Sequence, residues 1–386
     1  MARKPKPKIE AKDLQGFKYF NLLNPLLERL HQDATQRDRA GNRQLHFDHY
    51  ASHFLLYFFN PIVSSLRGIQ QASQLEKVQQ RLHCSRASLG SLSEAARVFD
   101  PGLLEPIIRE LGGMIEPAAS TRQERALANL TAVDGSLLPA LPRMTWALWV
   151  DDQHRAAKLH LAFEVIKGTP RVATITPGNA SERAQLRVML ETGRLYVIDR
   201  GYAEYALFQE IVDRGSSFIA RVRDNAVWRE IEQRPLDARA TAAGVRADRI
   251  VWLGGQQKGA DLKGPLRVVE VGVHKDNGEV ETLLLATDRM DLDADLVALA
   301  YRYRWLVELF FRWLKCILGC RHLLSECING VTIQVYVAII ASLLISLWTG
   351  RKPTKRTYEM ICFYLSGWAS QEELVAHIES LKKHPA

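Results

Sequence analysis

The spacing of apolar positions changes along the chain, and with it the elements it predicts. Between residues 15 and 115 they recur at helical intervals in LNPLLERLHQ, DHYASHFLLYFFNPIVSSLRGIQQ, SQLEKVQQRLHC and SLSEAARVF, which predicts an all-helical region. Ser91 before LSEA and Pro101 after VFD supply start and stop signals. The last two helices, parted by HCSRASLG, fit a helix-turn-helix and plain helical packing alike.

From about residue 126 the pattern becomes one of strands. ANLTAV, TWALWV, KLHLAFEVI and RVATIT are β-branched or alternating runs separated by DGSLLPALP, DDQHR and KGTP. ASERAQLRVMLET then reads as a helix, RLYVI as a short buried strand, AEYALFQEIVDRG as a helix and SSFIARV as a strand. That alternation predicts a mixed α/β sheet with helices on its faces. Between about 228 and 286 the alternation stops, and GVRADRIVWLGG and LRVVEVGVHKDNGEVETLLLAT read as strands, the latter a hairpin around Asp276, Asn277 and Gly278. The expected organisation is a helical region over 1–125, an α/β domain over 126–345 interrupted by a β-rich insertion at about 228–286, and a C-terminal helical region over 346–386, the last including QEELVAHIESLKK.

The segment YRYRWLVELFFRWLK, residues 301–315, combines helical spacing with five charges in an apolar run, four of which, Arg304, Glu308, Arg312 and Lys315, are spaced for one face. With Tyr301 at zero on an ideal helix, Arg304, Glu308, Arg312 and Lys315 fall at about −60°, −20°, +20° and −40°. Apart from Arg302 and Tyr303 the rest of the circumference is apolar, which predicts a nearly buried helix with one narrow polar stripe facing a cleft. Ordinary i,i+4 ion pairing on a solvated face is the plainer alternative.

Composition adds modest constraints. The 386 residues are 47% hydrophobic, and 51 Lys and Arg against 43 Asp and Glu leave a charge of +8 that mildly favours a polyanionic partner. The start, MARKPKPKIEAK, reads as a basic solvated tail that any phosphate backbone would attract. It lacks the apolar core of a secretion signal, and five cysteines are an odd count, so a reducing cytoplasm is expected. Cys316, Cys320, His322 and Cys327 raise zinc, but without a CxxC knuckle they read better as small core residues. The uncharged run VTIQVYVAIIASLLISLW, residues 331–348, is long enough to span a membrane but carries Thr332, Gln334, Ser342 and Ser346, and a buried core helix is expected there.

Asp134 in LTAVDGS and Asp199 in RLYVIDRGY stand at predicted strand ends, where a rigid sheet holds a side chain that reaches solvent. Each alone is also an ordinary turn residue. Tyr301, Arg304, Glu308 and Lys315, however, have the spacing Y-x2-R-x3-E-x6-K. Together with AVDGS and VIDRGY this resembles bacterial insertion-sequence transposases of the insertion-sequence-four family, over about residues 130–345.

The resemblance implies a ribonuclease H-like core with a β insertion between the second aspartate and the glutamate, and 109 positions separate Asp199 from Glu308. It implies that Asp134, Asp199 and Glu308 are catalytic and bind two Mg2+ ions, with Mn2+ able to substitute. It further implies that Tyr301, Arg304 and Lys315 hold DNA near the cleaved phosphate. Arg312 joins them by its angle, and Trp252 is the positional candidate for stacking on a flipped base, with strand packing as its plainer role. The implied protein is a cytoplasmic DNA transposase, nucleoid-associated when bound, that recognises terminal inverted repeats and cuts and pastes them into target DNA as a homodimer. The alternatives are an inactive or domesticated DNA-binding relative, a metal-dependent nuclease without strand transfer and, last, a membrane protein.

Overall fold

The computed structural model describes residues 24–33, 43–117, 121–151, 154–254, 261–274 and 278–383. The basic tail, and the hairpin-turn residues Asp276 and Asn277, lie outside them. The chain divides into two compact units, one of residues 1–115, 138–147 and 312–386, the other of residues 116–137 and 148–311.

The first unit opens with α1 (Asn24–Asp33), α2 (Phe47–Phe59), α3 (Leu66–Ser73), α4 (Glu76–Leu82), α5 (Leu89–Val98) and α6 (Glu105–Met114). Phe47, Tyr50, Phe54, Phe58 and Phe59 make α2 an aromatic core helix. Ser65 and Ser88 cap α3 and α5 by accepting from the Gly68 and Ser91 N–H groups. His83 ends α4 in the left-handed region at φ 50°.

The second unit is built on a nine-stranded mixed sheet. It begins with α7 (Arg122–Ala126), β1 (Leu130–Pro139), β2 (Ala156–Glu164), β3 (Thr169–Pro177), α8 (Glu182–Met189), β4 (Leu195–Ile198), α9 (Tyr205–Asp213) and β5 (Ser217–Arg221). It continues through β6 (Trp228–Gln233), α10 (Ala238–Ala242), β7 (Val245–Leu253), β8 (Leu266–His274), β9 (Val280–Thr287), α11 (Ala294–Tyr303) and α12 (Trp305–Arg312). The strand order is β3-β2-β1-β4-β5-β9-β8-β7-β6. β4 runs parallel to β1 and to β5, while β2 and β3 are antiparallel. The strands β6 to β9 extend the same sheet through antiparallel pairs, joined at β5 and β9. TWALWV, read from its pattern as a strand, contributes only an isolated bridge from Leu148 to Arg155.

The central strand β4, with the pattern LYVI, is buried at every position. That is what a parallel strand covered on both faces requires, and why it reads as a continuous apolar run. Arg267 on β8 is 1% exposed. Asp248 on β7 accepts its Nε at 2.8 Å and its Nη2 at 2.7 Å, and its Nη1 donates to the Arg289 and Leu292 carbonyls.

The chain then returns to the first unit with α13 (Ile328–Thr349), α14 (Lys355–Leu365) and α15 (Gln371–Lys383). Among the described residues α13 is the one helix long and apolar enough to cross a bilayer, yet 89% of its apolar window is buried inside the protein. It packs against α2, α5 and α6. Its polar groups are satisfied internally: Gln334 accepts from the Leu324 N–H and donates to the His322 carbonyl, and Ser342 accepts from the Trp313 indole. This is a core helix. Cys320 and Cys362 are buried, and Cys327 N-caps α13. Among the described residues Cys316, Cys320, His322 and Cys327 form no convergent donor group.

Candidate active site

Parallel pairing brings the two aspartates together. The β1–β4 register runs Leu130 to Leu195, Thr131 to Tyr196 and Ala132 to Val197. Continued for two residues, it sets Asp134 abreast of Asp199; Asp199 directly follows the C-terminal end of β4, but β1 runs on to Pro139, so Asp134 lies in mid-strand and not at the strand end that the sequence predicts. Each carboxylate is held locally, Asp134 Oδ1 by the Gly135 N–H and Asp199 Oδ1 by the Gly201 N–H, both at 2.8 Å. The space beside both is tight: an added Cβ at Gly135 would meet Glu182 Oε1 at 3.0 Å, and one at Gly201, two residues after Asp199, would meet Asp199 Oδ1 at 3.1 Å.

Glu308 arrives from the helical side. The 301–315 segment is not one ideal helix: α11 ends at Tyr303, Arg304 forms a break, α12 runs from Trp305, and a π-helical turn follows over Trp313–Ile317. At the break the Arg304 N–H donates to the Tyr301 carbonyl and the Val307 N–H to the Arg304 carbonyl, both short i−3 bonds. Constant 100° steps therefore do not carry through the segment. Trp305 and Leu309, placed on the buried arc by that count, are 51% and 41% exposed. Tyr301, Arg304 and Glu308 belong to the second unit with both aspartates, whereas the exposed Arg312 and half-buried Lys315 belong to the first.

Arg304 links the carboxylates. Its Nη2 lies 2.8 Å from Glu308 Oε1 and its Nη1 3.8 Å from Asp134 Oδ2, with the Tyr301 ring centroid 5.8 Å from its Cζ. Burial alone would lower the Arg304 pKa, but Tyr301, Glu308 and Asp134 outweigh it and the net shift is upward. Asp134 moves the other way from its usual range, pushed up to about 6 by burial, with the charges of Asp199 and Glu308 adding to the rise. The Gly135 N–H and Arg304 oppose that shift without cancelling it.

Two further residues at this site, Glu182 and Tyr202, carry no sequence signal of their own. Glu182, in the first turn of α8, takes Lys158 Nζ at 3.3 Å and adds negative potential beside the aspartates. The Tyr202 hydroxyl is buried without a hydrogen-bond partner, and its acidity is suppressed by burial and by Glu182, Asp134 and Asp199. Arg304 also lines a cleft of about 710 Å³, together with Arg239, His274, Tyr301, Arg302 and Trp305. Trp252, on β7 opposite Arg229, is 36% exposed between buried Val251 and Leu253, so its ring stands on the sheet's outer side.

The donor set suits a hard divalent cation: it consists of carboxylate oxygens whose mutual repulsion already raises Asp134, beside a hydroxyl that lacks a partner. Among the described residues three donor atoms converge within 4.8 Å only at His31, Asp48 and His49. Beside β1 and β4 it is Arg304 that occupies the carboxylates, and a metal would have to share or displace its contacts.

The sequence model of the transposase DDE domain family matches residues 125–344. The chain is 29% identical over 229 residues to "Putative transposase y4zB" of Sinorhizobium fredii, covering 58% of this chain and 62% of that protein. It is 27% identical over 224 residues to "Probable transposase for insertion sequence element IS5377" of Geobacillus stearothermophilus, covering 57% and 56%. The matched stretch thus spans about three fifths of each relative's length. A cryo-EM structure of the piggyBac transposase synaptic complex with hairpin DNA aligns with a TM-score of 0.46 at 12% identity, covering 100% of this chain and 84% of that one. Since the family match takes in more than half of the chain, this protein belongs to the transposase DDE domain family.

Proposed function

We propose that the chain is a DNA transposase of the insertion-sequence-four type, with Asp134, Asp199 and Glu308 as its catalytic carboxylates on a ribonuclease H-like core. The strand order β3-β2-β1-β4-β5, with β2 and β3 antiparallel and β4 parallel to both β1 and β5, supports that core. The observation that carries the reading is geometric: Arg304 lies 2.8 Å from Glu308 Oε1 and 3.8 Å from Asp134 Oδ2, and the β1–β4 register sets Asp199 beside Asp134. Three carboxylates drawn from distant parts of the chain therefore share one site.

These three would hold divalent ions, two Mg2+ in this reading with Mn2+ able to replace them. When bound, such ions polarise the scissile phosphate and favour deprotonation of the attacking water or 3′-hydroxyl. The chain's own residues do the positioning. Asp134 and Asp199 are fixed by the sheet and by their Gly135 and Gly201 amides. Arg304 offers a planar fork that suits a phosphate once its carboxylate contacts are shared. Tyr301 backs the guanidinium, and Arg239 and Arg302 line the adjoining cleft with positive charge. Lys315 and Arg312 would contact the DNA backbone, and Trp252 would stack on an unpaired base at the outer face of the β6–β9 strands.

In this reading the substrates are double-stranded terminal inverted repeats and target DNA, the active form is a homodimer on DNA in the bacterial cytoplasm, and residues 1–125 and 346–386 are its helical flanking regions, the former contributing to DNA binding. Purified protein incubated with Mg2+ and DNA carrying its element's ends should cut at the ends and join the freed 3′ ends to a second duplex. Cutting without joining would make it a nuclease, and binding without cutting an inactive relative.

A further inference from the structure

The first unit contains a cluster of metal-ligand side chains that the proposed catalysis does not use. His31 lies in the last turn of α1, while His46 is the N-cap of α2 and Asp48 lies in its first turn, followed by His49. His31 Nδ1 is 2.9 Å from Asp48 Oδ2, and His49 Nε2 is 3.6 Å from the same oxygen. One donor atom from each of the three lies within 4.8 Å of the other two. His46 stacks on His31 with ring centroids 3.9 Å apart, and His49 meets both rings edge-on at 5.5 and 5.9 Å.

Hydrogen bonding within the protein does not account for the whole cluster. The atoms that face one another are His31 Nδ1, Asp48 Oδ2 and His49 Nε2, while the other atoms of the same side chains, Asp48 Oδ1 and His49 Nδ1, are buried and have no hydrogen-bond partner, which folded proteins avoid because the lost hydration is not replaced. A divalent cation satisfies several donors at once. Imidazole nitrogens with one carboxylate oxygen are a donor set for zinc and its transition-metal neighbours, whereas magnesium prefers oxygen alone. Ligand atoms about 2.0–2.1 Å from a tetrahedral zinc stand roughly 3.3 Å from each other. The 2.9 and 3.6 Å separations here bracket that spacing.

We propose that His31, Asp48 and His49, with His46 beside them, form a zinc-class transition-metal site that fastens α1 to α2. The site is chemically distinct from the carboxylates of Asp134, Asp199 and Glu308, and its existence does not depend on the proposed DNA chemistry. A cross-link between positions 17 and 18 residues apart restricts the unfolded chain and so raises stability when metal binds.

The test uses the full chain stripped with EDTA and returned to chelator-free buffer, with Co2+ as the spectroscopic probe and Zn2+ as competitor. The expected result is one equivalent of Co2+ giving the visible absorption of a tetrahedral nitrogen and oxygen site, bleached by Zn2+. His31→Gln and His49→Gln should each weaken Co2+ binding at least tenfold, and the double variant should lose the band. Zn2+ should raise the Tm of the wild type and not that of the double variant, while equal metal-free Tm values establish that the variant folds. If the double variant does not fold, the comparison rests on His49→Gln alone, with the same tenfold criterion. Absence of the band in the wild type, its persistence in the variants, or its loss in Cys316→Ser/Cys327→Ser instead would overturn the proposal.

Discussion

Arg304 contacts Asp134, 170 residues away in sequence, from a break between two helices, Nη1 to Oδ2 at 3.8 Å, while its Nη2 is paired with Glu308 one turn on. One planar guanidinium thus serves two carboxylates, which a single ammonium on a flexible stem does not reproduce. Arg304→Lys should keep the fold and lower DNA cleavage by about tenfold or more, with Arg304→Ala lower still. Single-turnover cleavage rates decide this, and a Lys variant at the wild-type rate would remove the fork from the account.

Asp134 makes a prediction about stability in the absence of metal. Its folded pKa is pushed up to about 6, above that of the unfolded chain, so between about pH 4 and 6 the folded protein holds a proton that the unfolded chain has released. Stability therefore falls as pH rises through that window and stays reduced above it. Asp134→Asn keeps an acceptor for the Gly135 N–H and has no charge to bury. In EDTA it should match the wild type at pH 4 and exceed it at pH 8 by on the order of 2–3 kcal/mol, although it should not cleave DNA. Denaturant melts at the two pH values are the measurement, and equal stability at pH 8 would refute the raised pKa.

Asp248 and Arg267 provide a control far from DNA chemistry. Both side chains are under 5% exposed and bonded in a fork. Asp248→Ala would strand the guanidinium in the sheet and cost about 3–5 kcal/mol, read as a lowered midpoint in urea. Replacing both residues by apolar ones of similar volume should cost far less.

Trp252 separates packing from recognition. At 36% exposure Trp252→Ala should cost no more than about 2 kcal/mol, below the roughly 3–5 kcal/mol of a fully buried aromatic. In the proposed role it should reduce the fluorescence change of a 2-aminopurine placed at the cleavage junction. A large loss of stability with unchanged fluorescence would return Trp252 to strand packing.

Much of the fold was legible because burial sets period. LYVI, buried on both faces, reads as a strand from its unbroken apolar run, and the 331–348 run reads as a core helix whose few polar residues bond locally. Asp199 was legible as a strand end, whereas Asp134 lies within β1 because that strand runs on through the turn-like DGSLLP, and the adjacency of the two was not legible, since it depends on β1 and β4 pairing across 65 residues. The stripe over 301–315 was only partly legible. Tyr301, Arg304 and Glu308 do lie together, but the break at Arg304 and the π turn at Trp313 depend on tertiary packing that constant angular steps ignore. Glu182, Tyr202 and the His31–His49 cluster left no trace in local sequence because each acquires its partners from separate elements.

The central claim is that Asp134, Asp199 and Glu308 hold the metal that drives DNA cleavage. Its most direct test replaces each in turn by cysteine and compares cleavage of end DNA in Mg2+ and in Mn2+. Thiolate is a poor ligand for Mg2+ and a better one for the softer ion. The account predicts no cleavage by the three variants in Mg2+, with DNA binding retained, and partial recovery in Mn2+. Cleavage at the wild-type rate in Mg2+ by any of the three would contradict it.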